Sequence, residues 1–348
     1  MRIVNLLSDT VTEPTPEMRT AMATAVVGDD VSQDDPTVNQ LQSLAAETMG
    51  KEAGLFVPSG TMGNLLAVMA HCERGAEVIL GDCSHTFLHE AGGIAVVGSI
   101  HPHTIPNQKD GTLSLRDIEK AIRADDIHYP VTRLVVLENT QNRCGGIPLT
   151  AAYTRQVAEL AASNHLKLHI DGARIFNAAA ALNCAVRELT DPADSITFCL
   201  SKGLCAPVGS VLCGSNEFIE KARRIRKMLG GGMRQAGIIA AAGIIALETM
   251  TERLKEDHTR AARLAAGIRA ITSSCLQGVD QDTNMVFVRL EESSSVNAAK
   301  LITSMKSKGV LIGGVNSHTV RLVTHYWIDD EDIEQAINAF QDVFSTQV

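Results

Sequence analysis

Several kinds of segment are scarce in this sequence or missing from it. Aromatic residues make up only 3% of its 348 residues, so aliphatic side chains must form most of the hydrophobic core. There is no run of lysine or arginine, and the formal net charge is −9, which argues against a nucleic acid or an anionic membrane as partner. The longest apolar run, residues 237–247, is about half as long as a membrane-spanning helix.

The start of the chain and its cysteines predict the compartment. Polar Ser8, Asp9 and Thr10 come too early for the apolar core of a secretory signal peptide. The eight cysteines are irregularly spaced, include no CxxC pair and lie in part within apolar runs, where thiols behave as small hydrophobic groups. We therefore expect a reducing compartment, the cytoplasm.

Short strand-like runs alternate with helical patterns over the first two thirds of the chain. This alternation is typical of an α/β domain whose mostly parallel sheet is covered by helices on both faces. Ligands bind such a sheet at the carboxyl ends of its strands. The strand-like runs are 55–57, 77–80, 94–97, 133–137, 166–170, 195–200 and 208–213, and the helical ones are 61–73, 150–163, 175–183 and 215–228.

The pattern changes towards the C-terminus and predicts a smaller α+β domain. Asp329, followed by an acidic first turn, is typical of the N-cap of a last helix over 330–344. Because the chain is longer than the roughly 250 to 300 residues of a single core, we expect separate domains. Their predicted ranges are an N-terminal active-site segment 1–17, a large domain 18–250 and a small domain 251–348. The elements predicted here are a helical stretch 234–272, strand 284–290, helix 295–307 and strands near 310 and 320.

An acid and a lysine follow two of the strand-like runs. Asp171 follows run 166–170, and Lys202 follows run 195–200 about thirty residues later. One βαβ unit has about this length, so both side chains can lie at the carboxyl ends of two strands of one sheet. Pyridoxal phosphate (PLP) requires a lysine for its Schiff base and an acid that keeps its pyridine nitrogen protonated. The pair therefore predicts a PLP-dependent enzyme.

Other segments near this edge have two interpretations each. Ser59-Gly60-Thr61 leads from a strand into a helix, whose N-terminal N–H groups and hydroxyls suit a phosphate, but an ordinary N-cap has the same sequence. His85 lies just past run 77–80, where an imidazole can stack on a flat ring, act as a base or be structural. His128 precedes run 133–137, and its position gives weaker support for a role.

Three cationic residues are candidates for anion binding. Lys227 and Arg234 flank the glycine run 230–232, which suits either a movable anion-binding segment or an ordinary charged helix end. Arg321 lies inside a predicted strand, where an unpaired guanidinium is costly. We therefore expect Arg321 to hold a carboxylate, either of the protein or of a substrate.

No metal site is expected. The acidic loop before the helix that starts near Pro36 is interpreted as a solvated turn with capping acids; it contains Asp29, Asp30, Asp34 and Asp35. The two histidine pairs of the sequence lack a convincing third ligand. These pairs are His101 with His103 and His165 with His169.

Taken together, the motifs resemble those of the low-specificity L-threonine aldolases of the PLP-dependent fold type I superfamily. The resemblance runs from about residue 5 to about residue 340. It is carried by Ser8-Asp9-Thr10-Val11-Thr12, Gly28-Asp29-Asp30-Val31, Val57-Pro58-Ser59-Gly60-Thr61, Ser84-His85, Leu137-Glu138-Asn139-Thr140, His169-Ile170-Asp171-Gly172-Ala173-Arg174, Leu200-Ser201-Lys202-Gly203, Gly230-Gly231-Gly232-Met233-Arg234-Gln235-Ala236-Gly237 and Arg321-Leu322-Val323-Thr324-His325.

The resemblance implies roles for individual residues. Lys202 would form the Schiff base, Asp171 would pair with the pyridine nitrogen, and Arg174 would help to position the ring oxygen and the acid. His85 would stack on the ring. His85 and His128, the latter also a substrate contact, are both candidates for the base, and the sequence does not choose between them. Residues implied to hold the phosphate are Ser59, Gly60 and Thr61, with Arg234 and Lys227 from a neighbouring subunit; Ser8 and Arg321 would hold the substrate carboxylate.

The resemblance also implies an overall architecture and an activity. The large domain would contain a seven-stranded sheet, and the protein would be a homotetramer, a dimer of dimers with its sites at the dimer interface. It would cleave L-threonine and L-allo-threonine to glycine and acetaldehyde and accept related β-hydroxy-α-amino acids. The alternatives are transamination or β-elimination on the same cofactor, or a PLP-binding homologue without turnover. A nicotinamide-dependent oxidoreductase is disfavoured, because no GxGxxG motif follows the early strands.

Three departures from the family pattern lie near the substrate motifs. Leu7 stands where an arginine is common, and Ser32 and Gln33 stand where the family has an aromatic residue and a glycine. Gln141 replaces a histidine. These departures leave the residues implied to bind PLP intact and bear on the preference at Cβ of the substrate.

Overall fold

The chain divides into two units in the computed structural model, which describes residues 2–345. The larger unit spans Glu13–Thr251, and the smaller one combines the residues up to Thr12 with those from Glu252 onward. Within residues 2–345, no helix is both long and apolar enough to cross a membrane.

Strands and helices follow one another along residues 2–345, and the bounds that follow cover both units. The strands are β1 (Val4–Asn5), β2 (Ala53–Val57), β3 (Glu77–Gly81), β4 (His101–Ile105), β5 (Thr132–Glu138), β6 (Lys167–Asp171), β7 (Ser195–Cys199), β8 (Ser210–Gly214), β9 (Leu276–Gln281), β10 (Met285–Leu290), β11 (Val310–Leu311), β12 (Gly313–Asn316) and β13 (Thr319–Val323). The α-helices are α1 (Pro16–Thr24), α2 (Pro36–Met49), α3 (Gly60–His71), α4 (His85–Leu88), α5 (Gly93–Val96), α6 (Leu115–Ala121), α7 (Ala151–Ser163), α8 (Ile175–Leu182), α9 (Val186–Thr190), α10 (Asn216–Met228), α11 (Gly237–Ile245), α12 (Leu254–Arg269), α13 (Ala298–Ser307) and α14 (Asp330–Ser345).

The larger unit is built on a seven-stranded sheet with the order β2-β8-β7-β6-β5-β3-β4. Strand β8 is antiparallel to both of its neighbours, and the other neighbouring strands are parallel. Every residue of β3, β7 and β8 is buried, as expected for strands covered on both faces. The predicted mostly parallel, seven-stranded sheet is confirmed.

Helices pack on the sheet through aliphatic side chains. On one face, Leu66 of α3 and Phe218 of α10 pack with Leu55 of β2 and Leu212 of β8. Helix α3 starts where Ser59 caps it, because the Ser59 hydroxyl accepts a hydrogen bond from the Met62 backbone N–H at 3.2 Å. The strand order and these caps place the N-terminus of α3 at the carboxyl edge of the sheet.

One predicted strand is wrong. The run 94–97 belongs to helix α5, and the sheet continues instead with β4. In α5 Ile94 is buried while Val96 is 80% exposed, a one-sided pattern that a short apolar run does not reveal. Strand β4 contains Pro102 and two histidines, which are weak strand signals, and it forms because a sheet edge tolerates proline.

The predicted helical stretch 234–272 is not continuous. Helix α11 passes through a π-helical turn at Ala246–Met250, and α12 begins only at Leu254. The boundary between the two units falls in this interruption.

The smaller unit contains a four-stranded antiparallel sheet of order β12-β13-β10-β9. Strand β1 pairs in parallel with β11, which ties the N-terminal residues to this unit. Helices α12, α13 and α14 share its hydrophobic core, which includes Leu264, Leu301 and Phe340. The Asp329 cap of α14 is confirmed, since the Asp329 carboxylate accepts a hydrogen bond from the Asp332 N–H at 2.9 Å.

Two histidines contact Ser195: His169 of β6 is fully buried, and His71, at the end of α3, is half-buried. His71 Nε2 and His169 Nδ1 lie 2.8 and 2.9 Å from the Ser195 hydroxyl oxygen. Burial lowers the pKa of His71 to about 4, and burial with the nearby His71 lowers the pKa of His169 to about 3. Both imidazoles are therefore neutral at physiological pH.

These histidines predict a loss of stability in acid. The unfolded chain binds their protons near pH 6.5 and the folded chain only near pH 4 and 3, so the free energy of unfolding falls as the pH is lowered through this range. Each histidine contributes a slope of about 1.4 kcal/mol per pH unit. We expect His71→Gln to reduce the slope between pH 6 and pH 4.5 by about one proton, measured by urea unfolding at several pH values. An unchanged slope would contradict the neutral assignment of His71.

Candidate active site

Polar side chains gather where the parallel strands end. Asp171 is the last residue of β6, and it pairs in register with Glu138 at the end of β5 and with Thr197 of β7. Strands β6 and β7 are parallel neighbours, so the predicted adjacency of the two strands that lead to Asp171 and Lys202 is confirmed. Lys202 lies in the turn that follows β7.

Asp171 is a buried acid held by two donors. It is 3% exposed; its Oδ1 accepts a hydrogen bond from the Ala173 N–H at 3.2 Å, and its Oδ2 accepts one from Asn64 Nδ2 at 2.9 Å. Arg174, which precedes α8, is buried three residues further along. A buried carboxylate at the carboxyl edge of the sheet suits a cationic partner such as a protonated ring nitrogen.

His85 lies at the first residue of α4, next to this acid. Its Nδ1 is 2.9 Å from Glu90 Oε1, and its backbone N–H donates to Glu138 Oε2 at 2.7 Å. The hydrogen bond with Glu90 is the main cause that raises the pKa of His85; burial and the Lys202 charge oppose it, and the Asp171 charge supports it. The charges of Lys202 and Asp171 therefore both influence the pKa of His85.

Glu138 is a buried acid that our sequence interpretation did not single out. Burial and the charge of Asp171 raise its pKa to about 7, while backbone N–H groups of Asn142 and His85 favour the ionised form. Gln141, the residue that departs from the family pattern, donates from Nε2 to the Cys83 carbonyl at 3.1 Å and to Glu138 at 3.4 Å. Gln141 thus supports the loop that carries His85.

The N-terminus of α3 offers a cradle for a phosphate. A Cβ added to Gly60 would lie 2.9 Å from Cys199 Sγ and 3.6 Å from Ser210 Oγ, so only glycine leaves this corner open. Ser210 Oγ is buried and has no hydrogen-bond partner among residues 2–345. A buried hydroxyl beside a helix N-terminus fits a phosphate oxygen. Together with Asp171 and Lys202, these groups could hold the phosphate, ring nitrogen and aldehyde of PLP.

Two of the three cationic candidates, Lys227 and Arg234, lie in the larger unit. Arg234 is 63% exposed and forms an ion pair with Asp29, while Lys227 lies in the last turn of α10. The capping interpretation of the acidic loop is confirmed for Asp29 and Asp35, whose carboxylates accept backbone N–H groups. Asp30 and Asp35, however, are not solvated: they are 2% and 0% exposed, and Asp30 lies 2.9 Å from the buried guanidinium of Arg226.

His128 is not brought to this edge within one chain. It lies in the exposed segment before β5, at the amino end of the parallel strands, with Nδ1 2.6 Å from Asp126. Strand β5 has seven residues, so its two ends are about 20 Å apart. The role predicted for His128 stays a prediction that requires a second copy of the chain.

Ser8 and Arg321 belong to the smaller unit. The Ser8 hydroxyl accepts from the Thr10 N–H at 3.2 Å and caps a short 3₁₀ turn. Arg321 lies on β13, with a guanidinium nitrogen 3.5 Å from the Leu7 carbonyl oxygen. The structure therefore brings the guanidinium next to the segment that carries Ser8.

The predicted absence of a metal stays a prediction. Within residues 2–345, one cluster of three possible ligands has its atoms within 4.8 Å of one another: His85, Glu90 and Asp171. His101 and His103 both contact Glu77, which also binds Arg123. The second pair is separated, because His169 is fully buried while His165 lies in a turn with φ of +58°.

Comparison with known proteins decides the family. The sequence matches the beta-eliminating lyase family over residues 5–291. It is 50% identical over 333 residues to the low specificity L-threonine aldolase of Escherichia coli (strain K12), covering 96% of this chain and 97% of that protein. The chain belongs to the low-specificity L-threonine aldolase family. It is also 48% identical over 347 residues to probable low-specificity L-threonine aldolase 2 of Arabidopsis thaliana, covering 99% and 98% of the two chains.

The fold of this family member is similar to that of a solved threonine aldolase structure. Threonine aldolase of Leishmania major superposes with a TM-score of 0.83 at 20% identity and covers 98% of this chain and 99% of that chain. The expected α/β fold, with a mostly parallel sheet covered by helices, is thereby confirmed.

Asn64 and Glu90 are site residues that sequence reasoning missed. Neither stands in a motif with an obvious chemical role. Glu138 had a usable signal, because it follows run 133–137 just as Asp171 follows run 166–170.

Proposed function

We propose that this protein is a PLP-dependent aldolase that cleaves L-threonine and L-allo-threonine to glycine and acetaldehyde. The observation that carries the proposal is the group formed by Asp171, Lys202 and His85 at one edge of the sheet in a member of this family. Related β-hydroxy-α-amino acids are further expected substrates.

Each part of the cofactor has a matching group in the larger unit. PLP, when bound, supplies an electron sink for the electron pair that remains when the Cα–Cβ bond breaks. Lys202 would attach the cofactor, Asp171 would hold the proton on the ring nitrogen, and buried Arg174 would help to position the ring. The phosphate would lie on Ser59, Gly60 and Thr61, beside the Ser210 hydroxyl.

His85 is the better placed of the two candidate bases. Because Glu90 is an acceptor, the neutral imidazole carries its proton on Nδ1, which leaves the lone pair on Nε2. Nε2 of His85, or a water bound to it, would take the proton of the substrate β-hydroxyl. General-base assistance of this kind typically contributes about 10²- to 10⁴-fold.

Ser8 and Arg321 are proposed to bind the substrate carboxylate. A guanidinium can form two parallel hydrogen bonds with a carboxylate, and a hydroxyl can add a third. The contact of Arg321 with the Leu7 carbonyl, next to Ser8, supports a shared role of the two side chains.

We also propose a homotetramer in which neighbouring subunits complete the sites with Arg234, Lys227 and His128. Exposed apolar side chains on the larger unit support an interface; they include Val26, Val96, Ile127 and Met228. Light scattering tests this proposal, and a monomer with full activity would contradict it. The cytoplasmic location and a role in glycine formation stay predictions from the sequence.

Product analysis tests the proposed reaction. The full-length protein, loaded with PLP, is incubated separately with L-threonine, L-allo-threonine and D-threonine, and acetaldehyde and glycine are quantified. We expect equal amounts of both products from the two L-substrates and none from D-threonine. Ammonia with a keto acid would indicate β-elimination instead, and a keto acid with aminated cofactor would indicate transamination. Bound PLP without any product would support the non-catalytic alternative.

A further inference from the structure

A single buried amide joins two of the three buried carboxylates of the site, Asp171 and Glu90. Asn64 is 2% exposed, and its Nδ2 donates to Asp171 Oδ2 and to Glu90 Oε1, both at 2.9 Å. Because a carboxylate oxygen accepts and does not donate, the nitrogen side of the amide must face both acids. The amide oxygen of Asn64 therefore points the other way.

The amide oxygen meets His169. Asn64 Oδ1 lies 3.3 Å from His169 Nε2, and an amide oxygen can only accept a hydrogen bond. Nε2 of His169 must therefore carry the proton. Since burial keeps this fully buried imidazole neutral, its Nδ1 has a lone pair and accepts from the Ser195 hydroxyl at 2.9 Å.

The chain of donors continues to the far end of α3. Because the Ser195 hydroxyl donates its hydrogen bond to His169 Nδ1, its oxygen is left to accept one from His71 Nε2 at 2.8 Å. His71 is stacked on Phe218 with ring centroids 4.4 Å apart, which holds its ring in place. Every donor from His71 to Asn64 thus points towards Asp171 and Glu90. Hydrogen bonds aligned in one direction polarise one another and stabilise negative charge at the acceptor end.

We propose that Asn64, His169 and Ser195 are positioning residues that orient the Asp171 carboxylate through aligned hydrogen bonds before any cofactor enters. The amide of Asn64 cannot pass a proton along, so the relay acts through orientation and electrostatics. Its function is to favour a ligand with a protonated ring nitrogen. The inference deepens the proposed function and rests on it, since it assigns to Asp171 the nitrogen of the PLP ring.

Binding of two ligands by the full-length protein tests this relay. The probes are PLP and its 1-deaza analogue, in which carbon replaces the ring nitrogen. We expect Asn64→Ala to weaken PLP binding about 10- to 100-fold, the range for a lost buried hydrogen bond to a charged group. Ser195→Ala is expected to weaken it by about 3- to 10-fold, because the hydroxyl acts through His169. Binding of the deaza analogue should change less than about twofold in both variants, since a ring carbon makes no use of the Asp171 charge.

The proton positions are measured without cofactor. ¹⁵N NMR of the histidine side chains in the apoprotein is expected to show the Nε2–H tautomer for His169. In Ser195→Ala, the population of this tautomer is expected to change. Thr190→Val is the matched control: Thr190 is a fully buried residue of α9 whose hydroxyl donates to the Met49 carbonyl, outside the relay. We expect this control to lower the unfolding midpoint and leave the affinity for both ligands unchanged.

Each outcome decides the relay separately from the proposed function. Equal weakening of PLP and deaza-analogue binding, or an Nδ1–H form of His169, would overturn the relay while leaving the aldolase proposal standing. Failure of the unaltered protein to bind PLP would overturn the aldolase proposal, and the NMR result would still decide the proton positions of the relay. If Asn64→Ala does not fold, as judged by circular dichroism, the smaller change Ser195→Ala carries the test.

Discussion

Lys202→Ala is expected to lower kcat/KM for L-threonine by at least about 10³-fold, the scale seen when a covalent catalytic group is removed. The physical reason is that alanine has no amine to attach the cofactor aldehyde or to exchange with the substrate amine. The activity is measured as acetaldehyde formed by protein incubated with excess PLP. Attachment is measured separately, by borohydride reduction followed by intact mass.

The matched control for this change is Lys167→Ala. Lys167 starts β6, at the end of the strand opposite to Asp171. The Lys167 side chain is 57% exposed and pairs with Asp194. We expect the control to keep full activity and a covalently attached cofactor. Retention of more than about a tenth of the activity by Lys202→Ala would show that Lys202 is not the attachment site.

Asp171→Asn is expected to lower kcat by about 10²- to 10³-fold. The change keeps the shape of the side chain but removes the charge opposite the proposed ring nitrogen, and preorganised charges in buried sites are worth about 3 to 4 kcal/mol each. Unlike Lys202→Ala, this variant should keep the covalently attached cofactor, because Lys202 is intact. The measurement is kcat at saturating substrate together with the intact mass after reduction.

Glu159→Gln serves as the control for the loss of one negative charge. Glu159 is exposed on α7, so its charge is screened by solvent and we expect no change in kcat. If Asp171→Asn retained full kcat, the charge of Asp171 would not be needed for PLP to accept electrons. The assignment of the ring nitrogen to Asp171 would then be wrong.

The part of the site that could be predicted depends on one rule of α/β sheets. A polar residue directly after a buried strand lies at the carboxyl edge, and this rule alone places Asp171 next to the strand that leads to Lys202. The same rule would have placed Glu138, whose acid ends β5. His128 fails it, because His128 precedes its strand and lies at the opposite edge.

Other features had no signal along the chain. Run 94–97, predicted as a strand, belongs to helix α5, and strand β4 was not predicted. A four-residue apolar run suits either structure, and only packing on the sheet decides between them. Asn64 contacts Glu90 and Asp171 across 26 and 107 residues of sequence, respectively. No local pattern reports a contact of that range.

The order of the amino acids is enough to predict the alternation of strands and helices, the acid and the lysine that follow neighbouring strands, and the family. These depend on local periodicity and on residues at strand ends, which can be recognised one segment at a time. The hydrogen bond between His85 and Glu90, the buried Ser210 hydroxyl beside Gly60 and the one-way chain of donors that ends on Asp171 became visible only in the folded chain. The physical reason is that hydrogen bonds between buried side chains depend on which elements pack together, and that packing is a property of the whole fold.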